Sequence, residues 1–188
     1  MRTFIAIEIP GDIRKRLADY INMLDRLCGN NVKWVKEDNL HFTVKFLGEI
    51  EQNDLETVNR CVAETIADIE PFTVGLSDVG FFPSSRNPRV VWIGTDGGED
   101  ELLGIYQNLE SCLESEGFDR DSKPFSPHLT IGRVKRNGKL VLPGTFVEFE
   151  PVKFEVSSLA VIKSSLTPDG PIYEKLSETR MVQDMNVC

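Results

Sequence analysis

Residues 41–48 read HFTVKFLG and residues 128–134 read HLTIGRV, so the order histidine, apolar, threonine, apolar occurs twice in one chain. These two stretches contain both histidines of the 188 residues. Composition alone gives a histidine that sequel with odds of about 1 in 100, and both histidines with odds of about 1 in 10,000. Chance is a poor account of the pair. On a β-strand successive side chains point to opposite faces, so His41 and Thr43 share one face while Phe42 and Val44 enter the core. His128 and Thr130 repeat the arrangement, with Leu129 and Ile131 inward. Two such strands related by a pseudo-twofold axis would gather two imidazoles and two hydroxyls around one small volume.

Working outward, residues 3–9 alternate as a strand, and Pro10-Gly11-Asp12 opens a helix whose apolar face runs from Ile13 to Cys28 before Gly29 ends it. Further helices are expected over 53–69 and 99–116, the latter with Glu99, Asp100 and Glu101 at the positive end of its dipole. Strand-like segments lie at 32–36, 40–47, 72–80, 89–95, 127–134, 145–150 and 152–163. The last leads into the turn signature Thr167-Pro168-Asp169-Gly170 and a returning strand near 171–177, a hairpin. Helices mixed with hairpin signals favour an α+β fold, bilobal, with largely antiparallel sheets, outer helices and a central cleft. No low-complexity linker divides the chain, so residues 1–188 read as one domain whose two lobes carry the motifs at 41–44 and 128–131.

With 40% hydrophobic and 27% charged residues the chain has the composition of a soluble globular protein. No apolar stretch reaches membrane-spanning length and the start lacks a signal peptide, so a cytoplasmic, monomeric protein without membrane contact is expected. Cys28, Cys61, Cys112 and Cys188 are too scattered for a zinc or redox motif and read as free thiols, mostly buried. With two histidines and dispersed cysteines, catalysis is expected to use no metal and no cofactor. A net charge of −9 argues against wide coating of nucleic acid, yet the stretch from Lys123 to Lys139 holds five basic residues and no acidic one. Such a local reversal of sign can guide a small anion into a cleft.

A symmetric pair of histidines suits in-line displacement at phosphorus, which needs a base beside the entering water and an acid beside the departing oxygen. The paired motifs, together with MRTFIAIEIP, VKWVKEDNLHFTVKFLGE, FFPSSRNPRVVWIG, FSPHLTIGRV and AVIKSSLTPDGPIYEKL, resemble the two-histidine phosphoesterases, and within them the LigT-like RNA 2′,3′-cyclic phosphodiesterases. The resemblance covers nearly the whole chain. It implies a cleft between lobes, metal-independent hydrolysis of a 2′,3′-cyclic phosphate on RNA ends or short oligonucleotides to a 2′-phosphate, and a weak reverse 2′-5′ RNA ligase activity attached to the older family name. It also implies His41 as proton donor to the leaving 3′-oxygen, His128 as acceptor from water, and Thr43 and Thr130 as donors to the phosphoryl oxygens. Arg133 matches the family's H-x-T-x-x-R pattern, although strict alternation turns it away from His128 unless the strand bulges or ends near Gly132. Lys45 falls on the histidine face by alternation but reads as a solvated strand lysine outside the site. Trp34, Phe81, Phe82 and Trp92 are candidates for stacking a base, and Arg86 and Arg89 for holding an RNA phosphate. Rival readings are an RNA exonuclease, a phosphodiesterase for small cyclic nucleotides or ADP-ribose cyclic phosphate, and a non-enzymatic RNA-binding module. The retained histidines and threonines argue against the last.

Overall fold

The computed structural model describes residues 1–140, 148–168 and 170–182. Within them the chain forms, in order, β1 (Arg2–Glu8), α1 (Gly11–Cys28), β2 (Val32–Trp34), β3 (His41–Glu49), α2 (Asp54–Ile66), β4 (Phe72–Phe82), β5 (Val90–Thr95), α3 (Glu99–Ser115), β6 (His128–Val134), β7 (Val152–Val156), β8 (Ser158–Thr167) and β9 (Gly170–Arg180). The strands make two antiparallel sheets, one in the order β3-β1-β8-β9 and the other β2-β6-β5-β4-β7. This is the α+β architecture expected from the sequence, one sheet for each histidine strand.

Each helix buries the stripe its apolar spacing dictates. Ile13, Leu17, Tyr20, Ile21 and Leu24 face inward from α1, which lies against β2. Val58, Val62 and Ile66 do so from α2, which touches β9 and α3, and Leu102, Ile105, Leu109 and Leu113 from α3, which also meets β3. On the first sheet Ile5, Ile7, Phe42, Val44, Leu159 and Val161 fill the helix-side core. The opposite face carries a smaller cluster of Phe4, Ala6, Ala160 and Ile162 capped by Tyr173, and this face borders the cleft.

Three expectations need correction. The run 152–163 is two strands: Val152–Val156 pairs with β4 in the second sheet, and after Ser157 the chain crosses to the first sheet, where Ser158–Thr167 pairs with β1 and β9. The inward apolar positions are even-numbered through Val156 and odd-numbered from Leu159, so the alternation changes phase across Ser157-Ser158, where the chain crosses. Of the strand expected at 145–150, residues 145–147 lie outside the described residues and 148–150 have no strand pairing, although Phe149 packs its ring edge-on to Tyr20 at 5.1 Å. Finally, Cys61 of α2 and Cys112 of α3 form a disulfide with their Cα atoms 5.6 Å apart, so neither is a free thiol. They sit on neighbouring helices, Cys61 fully buried and Cys112 half-buried, a proximity that sequence spacing does not reveal. Cys28 is a buried free thiol as expected, and Cys188 lies outside the described residues, as does Asp169 of the hairpin turn.

Candidate active site

β3 and β6 approach one another across the two sheets, which brings the repeated motifs to a common cleft. Phe42 and Val44, and likewise Leu129 and Ile131, are at most 3% exposed, while His41, Thr43, His128 and Thr130 are half-buried on the opposite faces. The period of two therefore holds through the first four residues of each copy.

Beyond them both strands bulge at the same place. Opposite β1 the register passes from Thr43 directly to Lys45, leaving Val44 as the extra residue. Opposite β5 it passes from Thr130 to Gly132, leaving Ile131 extra. An extra residue reverses the alternation that follows it. In β6 the reversal turns Gly132 inward, where an added Cβ would fall 2.7 Å from the Trp34 ring, and brings Arg133 to the face of His128. The Arg133 charge acts on His41, His128 and Tyr173 alike. In β3 the same reversal turns Lys45 inward, to 2% exposure, and leaves Phe46 on the cleft face at 54%. Lys45 is thus no solvated strand lysine. Its Nζ pairs with Glu110 of α3, itself buried, lies 3.3 Å from Asp121 and donates to the Asp119 carbonyl at 3.0 Å. The cation holds the segment that runs into His128. Tyr106 continues the tether, with its hydroxyl 3.3 Å from Asp121 and its ring stacked on Phe125 at 4.4 Å.

The two imidazoles are held alike. His41 Nδ1 is 2.7 Å from the Asn39 carbonyl and His128 Nδ1 is 2.7 Å from the Ser126 carbonyl. A carbonyl can only accept, so each Nδ1 carries the proton and donates, which leaves each Nε2 as the unprotonated nitrogen of the neutral ring. The Asn39 carbonyl is itself steadied, since the Asn39 side chain donates to the Pro171 carbonyl at 2.9 Å. Each ring is also enclosed by two aromatic side chains: Phe4 and Tyr173 lie 4.6 and 5.0 Å from His41, and Phe82 and Trp92 lie 5.1 and 6.1 Å from His128. Burial among these rings is the main reason both histidines titrate below the ordinary histidine range; the carbonyl hydrogen bonds oppose it and the Arg133 charge adds to it. The same enclosure pushes the Tyr173 phenol up.

Of the stacking candidates, Phe82 and Trp92 are therefore beside His128, with Trp92 lying across Gly80, where an added Cβ would collide with its ring. Trp34 covers Gly132 on the far side of β6, and Phe81 packs against the core. Arg86 and Arg89 are exposed near the Arg133 end of β5, which is the end opposite Gly94 and its partner His128. Sequence reading does not find Phe4, Phe46 or Tyr173. The signal for Phe4 is its place on the same β1 face as Ala6, and for Tyr173 its position in the returning strand of the hairpin.

A pH dependence follows from this enclosure. If one imidazole must be protonated and the other neutral, kcat/KM is bell-shaped in pH and reports the free protein. With both pKa values depressed, the neutral form of the base persists to lower pH and the protonated acid is lost earlier as pH rises. The alkaline limb of kcat/KM is therefore expected below about 6.5, with the fitted values belonging to the pair. Bound anionic phosphate favours imidazolium, so the kcat profile should lie at higher pH. An alkaline limb of kcat/KM at or above the ordinary histidine value would contradict this account.

Comparison with known proteins gives concordant likenesses. The family described as LigT like Phosphoesterase matches residues 7–92 and again 93–173. A Thermotoga maritima protein named RNA 2′,3′-cyclic phosphodiesterase is 34% identical, over 95% of this chain and 94% of its own. A protein of the same name from Archaeoglobus fulgidus is 36% identical over 94% and 98%. Among solved structures, TT0787 of Thermus thermophilus superposes with a TM-score of 0.84 at 27% identity, covering 96% of this chain and 98% of that one. E. coli LigT complexed with 3′-AMP superposes with a TM-score of 0.76 at 25% identity, covering 97% and 98%.

Proposed function

The chain belongs to the LigT-like phosphoesterase family, and from that premise we propose that it is an RNA 2′,3′-cyclic phosphodiesterase working by acid-base catalysis between two histidines. The observation that carries this reading is the matched pair of imidazoles, each held at Nδ1 by the carbonyl two residues earlier so that Nε2 is free to work. Water enters at phosphorus as His128 Nε2 takes its proton, and the P–O3′ bond breaks as His41 Nε2 gives its proton to the departing 3′-oxygen. The product is a 2′-phosphomonoester with a free 3′-hydroxyl, and the two imidazoles regain their starting states by exchange with solvent. Thr43 and Thr130 donate hydrogen bonds to the non-bridging oxygens, and Arg133 offsets the charge that builds on them in the transition state. The near-equivalence of the two histidine environments means that the donor and acceptor roles rest on the family likeness alone.

The substrate is an RNA end or short oligonucleotide, and the 2′,3′-cyclic phosphodiesterase name of the relatives supports that choice. Residues 1–188 act as one unit in this reading, because the cleft takes one histidine from each sheet. Action on RNA in the cytoplasm, as a monomer, is part of the same proposal. Among the described residues no helix is long and apolar enough to cross a membrane.

Product mapping on an RNA with a defined 2′,3′-cyclic end is the deciding experiment. A 2′-phosphate end is expected; a 3′-phosphate would reverse the regiochemistry, and progressive shortening would instead indicate an exonuclease. The same assay run in excess chelator is expected to show unchanged turnover, since the proposed steps use only imidazole, hydroxyl and guanidinium groups. Loss on chelation, restored by zinc or manganese, would remove the mechanism.

A further inference from the structure

Next to His41 lies a cavity of about 280 Å³ lined among others by Glu8, Arg14, Asp38, His41, Tyr173 and Lys175. Two of these residues, His41 and Tyr173, belong to the cleft, so the cavity opens from the catalytic site. Its two cations differ in state. Lys175 is already engaged, 2.6 Å from Glu8 and 3.0 Å from Glu178. Arg14, in the first turn of α1, has no hydrogen-bond or ion-pair partner for its side chain among the described residues, and its Nε is fully buried. A buried donor left unsatisfied is costly, and a guanidinium is the group best shaped to grip two oxygens of a phosphate.

We propose that Arg14 and this cavity form a second subsite, which takes the phosphodiester on the 5′ side of the terminal nucleotide and so favours oligonucleotide ends over free cyclic mononucleotides. The proposal rests on the catalytic reading, in which the cleft receives the cyclic phosphate. Once that group is seated between the histidines, the rest of the RNA leaves the same ribose through O5′, and the phosphate there is the nearest further anion. A cyclic mononucleotide with a 5′-hydroxyl lacks it. The volume is below the range of about 300–1,000 Å³ that encloses a whole small ligand, which suits a phosphate with its flanking atoms better than a complete nucleotide. Glu8 and Asp38 balance Arg14 and Lys175, so a free phosphate ion gains little here. A diester tethered to the seated nucleotide arrives at an effective concentration in the millimolar range, where even a weak contact counts.

Titration calorimetry tests this without requiring turnover. The probes are a dinucleotide ending in a 2′-phosphate with a natural phosphodiester between its nucleosides, and the same compound with an uncharged methylphosphonate there. The wild-type protein is expected to bind the charged linkage about tenfold more tightly, the scale of one charge-assisted contact. Arg14→Gln should reduce that ratio to within about twofold, while Arg14→Lys should keep part of it, having the charge without the planar fork. Equal affinity for the two linkages in the wild type, no binding of either, or a ratio that survives in Arg14→Gln overturns the subsite. Failure of the wild type to open a cyclic end would instead overturn the catalytic reading, and the linkage comparison would still decide the role of Arg14.

Discussion

Replacing either His41 or His128 with alanine is expected to lower kcat on a cyclic-phosphate RNA end by about 10²–10⁴-fold, the range for removal of a positioned general acid or base. The double variant should lose little more than the worse single variant, because groups that act on one transition state are not additive. Each ring packs against two aromatic neighbours, so a modest loss of stability is expected, and the urea midpoint must be measured beside the rate. The variants can also be told apart. A substrate with an activated leaving group needs little protonation at the departing oxygen, so it should rescue the variant that lacks the acid far more than the one that lacks the base. Rescue is expected at position 41. Rescue at 128 would exchange the roles, and a near-native rate in either variant on the RNA substrate would make that histidine structural.

Lys45→Met is expected to destabilise the protein by up to about 3–5 kcal/mol, since it removes the buried cation of Glu110 and leaves that carboxylate with the largely exposed Arg120, 3.6 Å away. Lys45 and Glu110 are 2% and 4% exposed, so water cannot take over the lost partner. Combining Lys45→Met with Glu110→Gln removes both charges and should recover most of the loss, as neutral replacements of buried pairs often do. Equilibrium unfolding in urea gives both numbers. If the single variant cost under about 1 kcal/mol, in the range of an exposed pair, Lys45 would not be the anchor of the 119–121 segment described above.

Much of this is legible in the sequence because it depends on local periodicity. The three helices follow from apolar spacing and from Gly29, Pro71 and Gly117 as stops, and the face shared by His41 and Thr43 follows from the period of two. What escapes depends on which strands become neighbours. The two bulges arise from the pairing of β3 with β1 and of β6 with β5, and a strand read alone gives no register to shift. Simple alternation therefore assigns Lys45 to the wrong face. Arg133 is only a conditional member of the site until the bulge at Ile131 is known. The Cys61–Cys112 bridge joins residues on different helices and the aromatic enclosure of His41 joins β1 to β9, contacts that no spacing rule encodes. The division of 152–163 into two strands is marked by the change of phase across Ser157-Ser158, but no spacing says that the two pieces join different sheets.

The bulges also end the likeness between the two motif copies. At equivalent places past them stand Phe46 on one strand and Arg133 on the other. A cradle that was truly twofold would accept a five-membered cyclic phosphate equally well either way round, and each imidazole would expel O2′ as readily as O3′. With a guanidinium at one of these places and a phenyl ring at the other, the two seatings of the same ring would no longer have equal energy. In the proposed site, handedness toward the substrate would then come from the residue that follows each kink and not from the histidines themselves.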